Sequence, residues 1–585
     1  MRVTLLSIII LLAAALFLLW SFLSTPDELM VVPTLAPTVE VIPTPTAIVV
    51  VEGGQSCSAE ITIAGGYLVE GVVGAPAQPN PIFADPNPVD RMLVDLLFDG
   101  LVRMDERGLP QPALAAGWQV SEDGHTLRFT LRDDVQWHDG QPLTTDDVAF
   151  SYGMLASADL PNGVSDLWQT VQINPIDRLT VDFVLSEPYA PFLEAVSRGI
   201  LPAHLLAGTS AATLASSGFN SLPIGTGPFV AANDWTANGV LRLTPNASYW
   251  GDVDLDGLEV RFFPSDAALA DAYQSGAVDA VGLISAESFT TLATLPNIRF
   301  FSSPERHTTH LIFNNASGHT VDQRIREAIA HTIDRGALIH EAVSGQGTAF
   351  NGPYAPHSWA ANPSFPLFPT SGVTATALLE ESRWVVSEES GVRQRLVDAG
   401  TATERLETLS FALLALDSPR QVALATAVQT QLAEQSIAVD LRIQSMDGYR
   451  AALSERNFDL AILEVLPLQD PDLYDFWSQE AIVQGQNYAG WNNRRASEAL
   501  EIARQLYEPE ERFEYYAGFN GVFADELPAL GLYQTVESYG IRDSIVSAGT
   551  GQSVVIGRIS TPRDRYQTIN DWRLETTQIS VPCEP

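Results

Sequence analysis

Residues 109–118 read LPQPALAAGW, and residues 126–148 read TLRFTLRDDVQWHDGQPLTTDDV. In the second stretch, Thr126–Leu131 alternates polar and apolar side chains, and this alternation predicts a half-buried β-strand. Thr144 followed three residues later by Asp147 predicts a capping box that opens a helix, because each residue's side chain can bond the other's backbone N–H. A strand followed closely by a helix indicates a protein that contains both elements.

The C-terminal half of the chain repeats this succession of helix and strand. Ser418 and Pro419 are typical of the N-cap and the first position of a helix. Apolar side chains then recur at every second position over 437–443 and again over 458–462, and each run predicts a strand. This alternation of helices and strands predicts α/β layers with mixed sheets.

Composition restricts the classes of function. The 585 residues include 71 acidic and 32 basic side chains, for a formal net charge of −39. This length predicts two or three domains, and this charge excludes a nucleic-acid partner, because such binding depends on neutralising phosphates. A high net charge also favours a soluble monomer. Every basic residue is an arginine, which excludes catalysis through a lysine Schiff base.

The N-terminal segment predicts a membrane address. Val3–Leu23 is apolar and uncharged, and as a helix it would span about 31 Å, enough for a bilayer core. We therefore expect residues 1–24 to be a transmembrane anchor, with a cleaved signal segment as the alternative. Arg2 favours a cytoplasmic N-terminus and an extracytoplasmic folded body in a single-pass protein of the cell membrane. Residues 25–56 are rich in Pro and Thr and predict an extended stalk.

The chain has only two cysteines, Cys57 and Cys583. Outside the cell these thiols are candidates for a disulfide that joins the start of the folded body to its end. Two thiols cannot form a structural zinc site unaided, and we expect neither a metal nor a cofactor.

Further motifs follow residues 109–148 in a fixed order. They are Gly225-Thr226-Gly227-Pro228-Phe229, Asn246–Trp250, Ser275–Asp279, Phe313-Asn314-Asn315, Arg324–Ala330 and Ile333-Asp334-Arg335. Their order over roughly residues 60–545 resembles the family 5 extracytoplasmic solute-binding proteins of ABC importers, which include peptide, oligopeptide and nickel receptors. Any single motif is weak, but the shared order over most of the chain is specific.

The resemblance implies a two-lobed, periplasmic-binding-protein-like α/β fold (type II, cluster C-like) with an extra subdomain in lobe 1. By this reading lobe 1 covers residues 57–303 with the subdomain at roughly 86–221, lobe 2 covers 304–530, and residues 531–585 return to lobe 1. Hinge strands are expected near residues 300–305 and 530–535. The implied function is a receptor that closes on a small polar solute or peptide and delivers it to ABC permease subunits.

Peptide-binding members of the family hold the ligand's α-amino group with a buried aspartate, four residues before the proline of an Asp-Pro-Asp motif. Here the motif is Asp470-Pro471-Asp472, and the matching position is Pro467. Glu464 is a candidate substitute for the missing carboxylate. The departure makes a sugar, an aromatic solute or another cation more credible than a free peptide. The predicted ligand-binding residues are Tyr354, Trp359, Glu464, Trp477, Asn487, Tyr488 and Trp491.

Two other functions remain open at this point. One is a tethered sensor or surface protein that kept the receptor fold, and the other is an extracellular hydrolase. We predict no enzyme and no catalytic residue, because the chain has neither a Gly-x-Ser-x-Gly motif nor a His-Glu-x-x-His motif. His138 is expected to belong to a turn, and His307 and His310 are expected on opposite faces of a strand, which does not favour a metal site.

Overall fold

The computed structural model describes residues 56–62, 67–105, 107–160, 166–251, 256–365, 368–401, 403–547, 572–573 and 576–582. The predicted anchor, the stalk up to residue 55 and the two cysteine side chains lie outside this description. None of the described helices has the length and apolar character that crossing a membrane requires.

The described strands in the first half of the chain are short, with three to seven residues each. In chain order they are β1 (Ser56–Thr62), β2 (Tyr67–Val73), β3 (Val102–Met104), β4 (Pro110–Pro112), β5 (Ala115–Val120), β6 (Thr126–Leu131), β7 (Gln172–Pro175), β8 (Thr180–Val184), β9 (Phe229–Ala231), β10 (Val240–Pro245), β11 (Gly257–Phe263) and β12 (Ala280–Ile284). The later strands are β13 (Ile298–Phe313), β14 (Gly347–Ala349), β15 (Val385–Val386), β16 (Arg393–Val397), β17 (Arg405–Thr408), β18 (Ser410–Leu416), β19 (Ala438–Gln444), β20 (Leu460–Val465), β21 (Ala529–Arg542), β22 (Val546–Ser547), β23 (Trp572–Arg573) and β24 (Thr576–Pro582).

Helices alternate with these strands. They are α1 (Pro88–Leu97), α2 (Thr145–Leu155), α3 (Asp166–Thr170), α4 (Phe192–Ala195), α5 (Ala203–Leu206), α6 (Ala211–Ala215), α7 (Asp266–Gln274), α8 (Ala286–Leu292), α9 (Gln323–Thr332), α10 (Arg335–Val343), α11 (Gly372–Glu381), α12 (Pro419–Glu434), α13 (Met446–Glu455), α14 (Tyr474–Trp477), α15 (Ala481–Gln484), α16 (Arg494–Gln505) and α17 (Pro509–Glu526). Within the described ranges, 3₁₀ turns occupy Gly218–Ser221, Trp235–Ala237 and His319–Val321.

The principal sheet is mixed and has eleven strands in the order β19-β18-β20-β13-β21-β12-β2-β11-β10-β9, with β14 added on β21. A separate four-stranded antiparallel sheet has the order β5-β6-β8-β7, and a three-stranded sheet has the order β15-β16-β17. Strands β1 and β24, from near the two ends of the chain, pair with each other. The predicted mixed α/β content is confirmed.

The long strands β13 and β21 lie at the centre of the principal sheet and are antiparallel to each other. Their pairing shifts register between Pro304 and Thr308. On one side of this shift β20 pairs with β13, from Thr308 to Phe313, and on the other β12 pairs with β21. The β13–β21 pair therefore joins one group of strands at one of its ends to a second group at its other end.

The apolar cores are divided in the same way as the two groups of strands. Leu530 and Leu532 of β21 belong to a core built mainly from residues 286–462, whereas Tyr539 and Ile541 belong to a core built mainly from residues 68–260. One strand thus contributes side chains to two separate cores. The exact lobe boundaries given above stay predictions.

Local sequence rules predicted several elements correctly. The capping box of Thr144 and Asp147 is present at the start of α2, and β6 has the predicted bounds. Ser418 caps α12, where its hydroxyl accepts from the N–H of Gln421. The motif Arg324–Ala330 lies in α9, which ends at Thr332 because the backbone of Ile333 is extended.

The Trp-His-Asp-Gly motif forms a turn, as predicted, with Gly140 at φ +84°. His138 joins this turn to the glycine-rich motif that follows later in the sequence. Its Nδ1 accepts from the N–H of Gly225 at 3.1 Å, and its Nε2 lies 3.1 Å from the carbonyl oxygen of Gly227. A Cβ on Gly225 would lie 1.7 Å from the carbonyl oxygen of Leu97, so only glycine fits there.

Candidate functional site

A pocket lies against one face of β13, with about 960 Å³ of unfilled space, part of it open to solvent. Thr308, His310 and Ile312 of β13 line it, and so do Leu463 and Val465 of the neighbouring strand β20. These residues share one face because side chains alternate along a strand, and because Thr308 pairs with Val465 and His310 with Leu463. The sheet therefore supplies the floor of the pocket.

The remaining walls come from loops that are distant in sequence. One wall is the loop after β20, which includes Pro467 and Gln469, and another holds Pro353, Tyr354 and His357. The hairpin loop between β3 and β4 closes the pocket from the other half of the chain. The further lining residues are Asp105, Arg107, Gly108, Pro304, Arg306, Ala355, Ser358, Leu468, Pro471, Leu473, Phe476, Trp477, Gln486, Tyr488 and Ala489.

Gly108 allows the hairpin loop to approach the loop after β20. Its φ of +87° suits glycine, and a Cβ at this position would lie 2.3 Å from the carbonyl oxygen of Gln469. A second contact joins the same two regions, since the N–H of Asp470 donates to the Glu194 carboxylate at 2.7 Å. Both contacts connect residues before β13 with residues after it.

Two ion pairs, each with a buried carboxylate, fix the Asp-Pro-Asp motif. Asp470 accepts from both terminal nitrogens of Arg512, at 2.7 and 2.6 Å, and Asp472 accepts from Arg504 at 2.7 Å. The arginines belong to α17 and α16, respectively. Because both carboxylates are committed to arginines, they shape the loop that carries Pro467 and do not face a ligand as free charges.

Three of the predicted ligand-binding residues are in the pocket wall, namely Tyr354, Trp477 and Tyr488. Trp359 lies outside this wall, where its ring packs against Tyr516 with ring centroids 5.5 Å apart. Pro467, which replaces the family's aspartate, also lines the pocket.

The other three predicted residues have structural partners. Asn487 donates to the carbonyl oxygen of Ser478 and accepts from the N–H of Trp491, so its amide holds a loop together. The indole of Trp491 donates to Glu526 at 2.6 Å. Neither Asn487 nor Trp491 lines the pocket on β13.

Glu464 is on the face of β20 opposite to Leu463 and Val465. Its carboxylate binds Arg420 at 3.1 and 2.6 Å. It therefore does not replace the missing carboxylate in the pocket wall.

Sequence reasoning missed several wall residues. Arg107 and Arg306 belong to segments that carry no motif, and the sequence suggests no role for His310 other than metal binding, which strand alternation does not favour. His307 and His310 do lie on opposite faces of β13, as alternation predicted, since only His310 lines the pocket. Among the described residues, no three His, Cys, Asp or Glu side chains are grouped to bind a metal ion.

His310 is almost fully buried, at 3% exposure. Its Nε2 lies 3.1 Å from the hydroxyl oxygen of Thr308, and its Nδ1 has no partner in the described part of the chain. Burial lowers the pKa of His310 to about 4, so the ring is neutral at pH 7. Burial likewise raises the pKa of Tyr354 well above its usual value, so this phenol keeps its proton.

Comparison with known proteins agrees with this architecture. The oligopeptide-binding protein AppA of Bacillus subtilis (strain 168) is 24% identical over 478 residues, which make up 80% of this chain and 86% of that protein. The nickel-binding periplasmic protein of Escherichia coli (strain K12) is 26% identical over 327 residues, or 54% of this chain and 60% of that protein.

Among solved structures, HbpA2 from Haemophilus parasuis has the same fold, with a TM-score of 0.70 at 21% identity over 83% of this chain and 98% of that chain. The sequence model of the family described as "Bacterial extracellular solute-binding proteins, family 5 Middle" matches residues 110–481, more than half of the chain. The chain therefore belongs to the family 5 bacterial extracellular solute-binding proteins, which are binding proteins and not enzymes.

Proposed function

We propose that this protein is a membrane-tethered extracytoplasmic receptor that captures a small polar solute or peptide and delivers it to an ABC import permease. The observation that carries the proposal is the position of the pocket. It lies on the face of the central strand β13, and its walls come from both halves of the chain. A solute in this position contacts both halves and favours the arrangement in which they are close.

We place the hinge of this receptor at the register shift between Pro304 and Thr308 on β13, where pairing with β21 is irregular. Pairing is regular up to Pro304, and the register shifts a second time between Thr309 and His310. The irregular segment from Pro304 to His310 can absorb a rotation. The contacts of Gly108 with Gln469 and of Glu194 with Asp470 would then form on closure and break on opening.

The printed names of the relatives report oligopeptide and nickel binding for those proteins. We extend from them only the general role of solute capture, because Pro467 supplies no carboxylate for a peptide's ammonium group. The tether rests on the apolar stretch Val3–Leu23 and the proline-rich stalk.

A thermal-shift screen of the full chain in mild detergent tests the proposal. The chain is heated with peptides, sugars, polyamines and metal chelates, each supplied separately. A solute that binds only the folded protein must raise its melting temperature, and small-angle scattering of the same mixture should report a smaller radius of gyration. Failure of every class to bind would refute the receptor function. Binding without any interaction with a permease would favour a sensor.

A further inference from the structure

Two polar atoms in the pocket wall have no hydrogen-bond partner among the residues described, namely His310 Nδ1 and Tyr354 Oη. Their side chains are 3% and 6% exposed. Buried polar atoms in native proteins nearly always have a partner, so an unpartnered pair beside a pocket requires an explanation. A bound solute that hydrogen-bonds to both atoms provides one.

The hydrogen bonds around His310 determine what its free nitrogen can do. The Thr308 hydroxyl lies 3.5 Å from the carbonyl oxygen of Val465 and donates to it. We assign the same hydroxyl oxygen as the acceptor of Nε2–H of His310, 3.1 Å away. On a neutral imidazole the remaining nitrogen, Nδ1, is then an acceptor. A ligand must present an N–H or O–H donor to it, while Tyr354 can donate to a ligand oxygen.

Carboxylates at the pocket are already engaged. Asp105 lines the wall, and its Oδ1 accepts from the backbone N–H groups of Arg107 and Leu109, both at 2.9 Å. Glu194 accepts from Arg306 at 3.4 Å and from the backbone of Asp470. Asp105 is the only carboxylate among the described lining residues, and its Oδ2 accepts from the Gln111 amide at 3.4 Å. An ammonium group would have to compete with these donors, and burying a cation without a partner is strongly unfavourable.

Arg107, unlike these carboxylates, has a charged group that is available to a ligand. It lines the pocket at its exposed rim, and its guanidinium forms no ion pair or hydrogen bond with the described side chains. A guanidinium at a rim can bind a carboxylate in two-point geometry. The same pocket also has flat apolar walls from Phe476, Trp477 and Tyr488, which suit an apolar or aromatic group.

We propose that the pocket selects N-acylated acids, such as N-acyl amino acids and N-acyl peptides, over solutes with a free ammonium group. The amide N–H bonds His310 Nδ1, the amide oxygen accepts from Tyr354, and the carboxylate binds Arg107. This inference rests on the receptor function proposed above and names the class of its ligand.

Three matched probes test the selection by isothermal titration calorimetry of the full chain at pH 7.5. They are Ala-Phe, N-acetyl-Ala-Phe and N-acetyl-Ala-Phe amide. The acetylated acid should bind about tenfold or more tightly than either of the others, because acetylation removes the ammonium and amidation removes the acid. Equal or tighter binding of Ala-Phe overturns the proposal, and so does the absence of binding by all three probes at millimolar concentration.

Two variants assign the roles of the residues. Arg107→Ala, at an exposed position, should abolish the preference for the acid over the amide while leaving the melting temperature unchanged. Tyr354→Phe removes only the hydroxyl and should weaken both acetylated probes by about tenfold. An unchanged preference in the first variant would overturn the assignment of Arg107, whereas unchanged affinities in the second would overturn that of Tyr354.

A third variant reverses the selection. Pro467→Asp puts an uncommitted carboxylate in the pocket wall and should raise the affinity for Ala-Phe at least about tenfold. No gain would contradict the argument from charge. The thermal-shift screen separates the two proposals. Binding of a polyamine or a free peptide that does not depend on Arg107 would refute the proposed ligand class but support the receptor function. Failure of every solute refutes the receptor itself.

Discussion

Replacing His310 by asparagine should remove part of the acid sensitivity of folding. Burial lowers the pKa of His310 from its usual 6.5 to about 4. Between these values the unfolded chain binds a proton that the folded chain does not bind. The contribution of this residue to stability is therefore complete above pH 6.5 and is lost as the pH falls toward 4.

The magnitude follows from the two pKa values. Between pH 7 and pH 4.5 the linkage amounts to about 2 kcal/mol, since each pKa unit corresponds to about 1.4 kcal/mol. His310→Asn has no such titration, so its free energy of unfolding should fall by about 2 kcal/mol less than that of the wild type over this range. Carboxylates titrate in both proteins and cancel in the comparison.

Urea unfolding of both proteins at pH 7.0 and pH 4.5 measures this difference. Asn487→Ala is the matched control, because the Asn487 side chain is also buried and carries no titrating group. The control should retain the acid sensitivity of the wild type. If His310→Asn keeps the wild-type pH dependence, or if the control loses it to the same extent, the buried neutral ring is not the cause.

Two further substitutions test the packing, both by urea unfolding at pH 7. Asp470→Ala leaves Arg512 buried without its charged partner and should lower the free energy of unfolding by about 3–5 kcal/mol. Glu498→Ala, which breaks an exposed pair, should cost less than about 0.5 kcal/mol. Equal losses would contradict the role given to burial. Gly225→Ala should destabilise the protein by about 3 kcal/mol or more, through the backbone contact described above. Its control, Gly153→Ala, meets no atom within 4 Å and lies in a helix, so it should be neutral or stabilising.

Local rules predicted the elements whose signals are contained in a few adjacent residues. The capping box of α2 and the N-cap of α12 depend on side chains that bond the backbone three residues away. The alternation of β6 reflects one buried face and one exposed face. Such signals require no knowledge of the rest of the fold, and for this reason they were reliable.

The candidate site could be predicted only in part, because its residues come together through long-range contacts. Strand β20 is buried on both faces, so its sequence does not tell which side chains face the pocket, and Glu464 could not be oriented. Asn487 and Trp491 are residue types that often line pockets, but here they hydrogen-bond to each other, and Trp491 also donates to Glu526. No local sequence pattern predicts that Arg107 and Gln469 line the same pocket, because only the folded chain brings them together.

The pairing of β13 with β21 has a consequence for how the chain is made. Arg299 donates to the carbonyl oxygen of Ile545, which is 246 residues later in the sequence. The N-terminal half therefore cannot complete its part of the principal sheet until the end of the chain has been synthesised, and such distant pairing folds slowly. A chain truncated before β21 would leave the edges of β12 and β13 uncovered, and exposed strand edges promote aggregation. Pairing of β21 therefore covers two exposed strand edges at once.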